Sequence, residues 1–167
     1  MIKTLLRIPQ GEISEALAEV SDPEIPVLTI LDLGVVRKVE VNGKHVRVEL
    51  TPTYTGCPAM DTIGADICSA LEARGFVPEI NLVLSPAWST DWISAEGRVK
   101  LVAYGIAPPL GEDLDKRALF EGAKVIPCPQ CGSTHTKMVS QFGSTACKAL
   151  FRCEDCLEPF DYFKCLT

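Results

Sequence analysis

The sequence is poor in histidine, in long apolar runs and in net positive charge, and each shortage removes a class of function. Only two histidines occur, His45 and His135. Thiol or serine catalysis usually draws on a histidine base, and neither residue sits in a pattern that would supply one. No glycine-rich phosphate loop is present, so nucleotide chemistry loses its usual cradle. No stretch approaches the roughly 20 apolar residues of a membrane span; the most apolar one, around Ile25 to Val36, is cut by Asp32. The start, MIKTLLRIPQGE, is interrupted by Arg7 too early for a secretory apolar region. Lys and Arg number 16 against 22 Asp and Glu, a formal charge of −6. Such a chain is expected to avoid nucleic acid and anionic membranes. The expected compartment is the cytoplasm, where thiols stay reduced.

Cysteine, by contrast, is plentiful at eight residues. In a reducing compartment these are ligands, nucleophiles or packing residues rather than disulfides. Cys128-x2-Cys131 and Cys153-x2-Cys156 lie 21 residues apart, one beyond the usual zinc-ribbon spacing. Two tight knuckles of this kind present four thiolates tetrahedrally, which suits zinc. Iron in a rubredoxin-like site stays open, since sulfur ligands alone do not choose between the metals. The segment 125–167 is too small for a sufficient apolar core, and a metal supplies the missing cross-link. Phe151, Phe160, Tyr162 and Phe163 read as its small core. Cys68 reads as core, and Cys147 and Cys165 as packing.

The first part of the chain alternates between helical and strand periods. Ile13, Ala16, Leu17 and Val20 line one face of a helix that ends before Pro23. The stretch SDPEIPVLTILDLG reads as a bent connection. Two alternating runs flank Asn42-Gly43, the mark of a tight hairpin. Met60, Ile63, Ile67 and Leu71 define a second helix stopped by Gly75. Ile80, Leu82 and Leu84 alternate as a strand, and Trp88 to Tyr104 reads as a last helix. The expected fold class is α+β: a two-layer α/β domain over 1–107 (helix, β-hairpin, helix, strand, helix), a linker over 108–124 and a zinc-ribbon-like domain over 125–167.

Cys57 stands alone in PTYTGCPAM. Pro58 suits a first helical turn, which makes Cys57 the cap residue. There the helix dipole and free N–H groups would favour thiolate. Asp22 and Glu24 precede the hairpin and are expected at the same end of the sheet. Two readings stand side by side: a thiol that contacts metal with the two carboxylates, and a plain helix cap.

DPEIPVLTILDLGVV followed by TPTYTGCPA resembles the family of bacterial SufT and the eukaryotic cytosolic iron–sulfur targeting factors, over residues 10–105. WSTDWI, YGIAPP and SQFGSTACKALFRCEDCLEPFDYFKC extend the similarity, across almost the whole chain, to the PaaD family of phenylacetate degradation. The first resemblance implies an α/β fold and a role in iron–sulfur cluster assembly or delivery. It also implies Cys57 as the metal or cluster contact, with Asp22 and Glu24 on the acidic positions of its DPE motif. Compact members of that family lack the cysteine-rich tail. The second implies service to the multicomponent phenylacetyl-CoA epoxidase, and above all to its iron–sulfur reductase. The expected protein is a maturation factor with no catalytic residues of its own, one zinc (or iron) in the ribbon, and a transient iron or iron–sulfur cargo. A non-catalytic structural subunit of the epoxidase is the alternative, and a homodimer is left open.

Overall fold

The computed structural model describes residues 11–110 and 125–164. The chain divides into two compact units between Trp88 and Ser89.

In the first unit, α1 (Glu12–Ala18) buries Ile13, Ala16 and Leu17. The stretch expected to be a bent connection contains a second helix, α2 (Ile30–Leu33). Its cause is a capping box: the Thr29 hydroxyl accepts from the Asp32 N–H at 3.1 Å, and an Asp32 carboxylate oxygen accepts from the Thr29 N–H at 3.0 Å. Gly34, in the left-handed region at φ 68°, closes the turn. The hairpin forms as expected from β1 (Val36–Asn42) and β2 (His45–Leu50). The turn is displaced by one residue: Asn42 pairs with His45, which leaves Gly43 and Lys44 in the loop. Gly43 carries the positive φ, 60°.

The second long helix, α3 (Ala59–Glu72), buries Met60, Ile63, Ile67 and Leu71, the four positions of its apolar stripe. It crosses to β3 (Val77–Leu82), which pairs with β2 in parallel and completes a three-stranded sheet in the order β1-β2-β3. A parallel neighbour requires such a crossover. As the edge strand, β3 leaves Leu82 exposed, and Leu84 beyond it is exposed as well; neither belongs to the core. Trp88 is buried, and its indole N–H donates to the Leu33 carbonyl at 2.9 Å.

The last helix of the expected first domain belongs to the second unit. A 3-10 turn, Thr90–Trp92, precedes α4 (Ala95–Tyr104), which is therefore shorter than expected at its start. Gly105 ends α4 with φ 89°, and the chain then enters β4 (Ile106–Ala107). The sheet of this unit has the order β4-β7-β6-β5, with β5 (Thr136–Ser140), β6 (Lys148–Cys153) and β7 (Pro159–Phe163). Because β4 pairs in parallel with β7, Ile106 and Ala107 join the ribbon sheet, and residues 89–107 fall in the second compact unit. The compact units divide at 88/89, whereas the sequence expectation sets the domain boundary at 107. Of the expected linker 108–124, residues 111–124 lie outside the described residues. The ribbon core is aromatic, as expected: the Phe151 ring stacks on Phe160 at 5.8 Å and meets Tyr162 edge-on at 5.7 Å. Ala107, Ile126, Ala149, Cys128 and Cys153 pack with these rings, while Phe163, expected in the same core, is buried outside this cluster.

Candidate metal centre and the Cys57 loop

The two cysteine knuckles converge. The Sγ atoms of Cys128, Cys131, Cys153 and Cys156 all lie within 4.8 Å of one another. Cys128 is 3.7 Å from Cys156, and Cys131 is 3.6 Å from Cys153. Four sulfurs held about 2.3 Å from one metal ion lie roughly 3.8 Å apart in a tetrahedron, close to the two shortest separations here, so the donor set suits a metal ion. Backbone N–H groups already serve these sulfurs: Cys156 N–H points at the Cys153 sulfur at 3.5 Å. That bond, followed by a second from Asp155, holds the Cys153 thiol down to about 6. At Cys156 the Glu158 N–H pulls the same way, but burial and the three neighbouring thiols push it up to about 12. A cation bound by these sulfurs would displace protons from them.

The knuckles are near copies. In CPQCG the residue after the second cysteine is Gly132, at φ 74°; in CEDCL it is Leu157, at φ 66°. Leu157 is the only described non-glycine residue with positive φ. A polar clasp ties one knuckle to the other. The Ser133 hydroxyl donates to the Asp155 carboxylate, whose other oxygen lies 3.3 Å from His135 Nδ1. Ser133 and then His135 hold the Asp155 carboxyl below its usual range. His135 therefore has a structural partner, and it is exposed beside the cluster rather than part of it. Sequence reasoning missed the clasp because its members are 20 and 22 residues apart.

Cys57 is half-buried. Regular helix begins one residue later than expected, with Pro58 as the flanking residue. The Cys57 carbonyl still accepts from Met60 N–H at 3.3 Å. The expected thiolate character does not follow. Burial pushes the thiol above its ordinary value, and the negative charges of Glu24 and Asp22 add to the rise. The Ala59 N–H and the Tyr54 side chain oppose this without reversing it. The helix end acts as predicted but is outweighed by desolvation. The same charges place Asp22 and Glu24 within electrostatic reach of Cys57.

Asp22 is buried, and one of its oxygens accepts from the N–H groups of Glu24, at 2.7 Å, and Ile25, at 2.8 Å. It shapes the loop that presents Glu24. Cys68, expected in the core, is only half-buried, because it flanks rather than joins the α3 stripe. Cys147 is buried, as expected, with Thr145 Oγ1 at 3.1 Å. Cys165 lies outside the described residues.

Among known proteins, the chain is 49% identical over 93% of its length, and 92% of the relative's, to a putative 1,2-phenylacetyl-CoA epoxidase subunit of Escherichia coli (strain K12). The chain belongs to the PaaD family. Residues 112–164 match the PaaD zinc beta ribbon domain, and residues 10–81 match the iron–sulfur cluster assembly protein family. The chain thus joins two modules that the sequence motifs suggest separately. An Fe-S protein maturation auxiliary factor of Porphyromonas gingivalis (strain ATCC BAA-308 / W83) is 37% identical over 55% of the chain and 90% of its own length. The crystal structure of a DUF59 domain from Bacillus anthracis aligns with TM-score 0.50 at 28% identity, covering 53% of this chain and 87% of that one. The four-cysteine group of this PaaD member is a metal-binding arrangement. No described helix is long and apolar enough to cross a membrane.

Proposed function

We propose that the protein is a maturation factor that assists assembly or delivery of an iron–sulfur cluster to phenylacetyl-CoA epoxidase, acting in the cytoplasm, with the epoxidase reductase as recipient. The observation that carries this reading is Cys57 in the company of Glu24 and Asp22 at the start of α3. Relatives of the first half named as Fe-S maturation factors, and a relative of the whole named as an epoxidase subunit, support it.

Each residue has a part. Asp22 fixes the loop through its two N–H acceptor bonds and so sets where Glu24 stands. Glu24 and Asp22 supply negative potential that favours a cationic cargo. Cys57 offers a soft sulfur and keeps its proton until a cation offsets those charges, so cargo binding releases a proton. Cys128, Cys131, Cys153 and Cys156 would hold zinc. Zinc has no redox chemistry and would serve there as a cross-link.

The test is Cys57→Ser beside Cys68→Ser in a strain lacking the native protein. Growth on phenylacetate should fail with the first and survive with the second, both proteins being folded. Full growth with Cys57→Ser would move the assignment to the alternative, a non-catalytic structural subunit. That alternative has an observation of its own: the ribbon sheet is enlarged by β4 into a four-stranded platform. Stable stoichiometric co-purification with the epoxidase would favour it; transient binding to metal-free reductase favours maturation.

A further inference from the structure

One face of the ribbon sheet combines three features that ribbon stability does not call for. Lys137 on β5 and Arg152 on β6 stand directly opposite each other in the antiparallel ladder. Like charges so placed repel, and neither has an ion-pair partner among the described residues. Between Met138 and Ser140 the pairing slips, and Val139 at the slip is exposed. Leu157 holds a left-handed backbone, where its counterpart in the other knuckle is glycine, yet the residue is 60% exposed. A branched residue in that conformation is strained, and here no burial compensates it. These residues, with Met138 and Glu154, line one shallow hollow of about 570 Å³.

We infer that this face docks a segment of a partner protein that presents a carboxylate beside an apolar side chain. The two facing cations match the carboxylate, and Val139 and Leu157 match the apolar group. Such an occupant would relieve the repulsion and bury the strained leucine. Nucleic acid fits less well, because Glu154 borders the cations and the chain carries a net charge of −6. The identity of the partner, a component of the epoxidase, rests on the maturation reading; the surface does not.

The experiment titrates the intact zinc-loaded chain into each purified epoxidase component by calorimetry. The unaltered chain should bind one of them. Lys137→Glu with Arg152→Glu should weaken that binding by at least about tenfold, since truncating or reversing desolvated charges raises dissociation. Lys137→Gln with Arg152→Gln, milder for folding, should weaken it less, with zinc content and circular dichroism unchanged. Leu157→Gly should weaken binding while raising the melting temperature, a split that a purely structural leucine would not give. Unchanged affinity in the charge variants, or no binding by the unaltered chain, overturns the inference. So does a DNA complex or a self-dimer that the charge reversal abolishes, since the face would then have another occupant. The maturation reading is judged separately, by the iron and sulfide content of the reductase made in cells without this protein. A full cluster there sinks that reading and leaves the docking result standing.

Discussion

Single residues decide the chemistry of this molecule, and Cys57 is the plainest case. Its thiol is held up by burial and by Glu24 and Asp22. Its alkylation by iodoacetamide should therefore keep accelerating with pH beyond the point where an ordinary cysteine levels off, because only thiolate reacts. Glu24→Gln removes one of the raising charges, so at fixed mildly alkaline pH Cys57 should react faster in that variant, measured by mass spectrometry of the 52–60 peptide. An unchanged rate would mean that Glu24 does not reach the sulfur. Leu157 gives a second prediction. Glycine at this position relieves the left-handed strain at the expense of a looser unfolded chain. Leu157→Gly should stabilise the second unit by up to about 1 kcal/mol, read as a higher denaturation midpoint. A loss of stability would place the leucine side chain in the core after all.

At the level of elements, what could be read in the sequence was whatever repeats over a short span. The stripe of α3 and the alternation of β1 and β2 are periodic, and both appear where expected. The knuckles were legible because metal chemistry fixes their spacing. Helix α2 was missed because four residues are too few for a period; its signal was the pair Thr29 and Asp32, three apart, hidden between two prolines and a glycine. Thr29→Ala should cost about 1 kcal/mol, measurable by urea denaturation of the first unit. No change would mean that the box is dispensable. The direction of β3 was unreadable, since alternation is the same in parallel and antiparallel pairs. Strand β4 was beyond reach: two residues carry no pattern, and Ile106 finds its partner at Asp161. The protonation of Cys57 likewise depends on burial set by distant residues, which spacing cannot express.

For the whole molecule, the two units should answer differently to loss of metal. A strong chelator, or Cys153→Ser, should melt the ribbon sheet, and backbone signals from 95–107 should collapse together with those from 125–164. Residues 11–88 should keep their signals. NMR or hydrogen exchange reads this directly, and persistence of the 95–107 signals after metal removal would return α4 to the first unit. The strand β4 carries a last consequence. The family's ribbon domain begins its match at residue 112, after β4, yet β7 pairs with Ile106 and Ala107. The ribbon is thus not a cassette that can be lifted out at its apparent start. Excised there, it would leave the outer edge of β7 bare and open to promiscuous strand addition. Conversely, a single cut between 111 and 124 would produce two polypeptides sharing one sheet, and the pieces would be expected to reassemble when mixed, as halves of a split protein do.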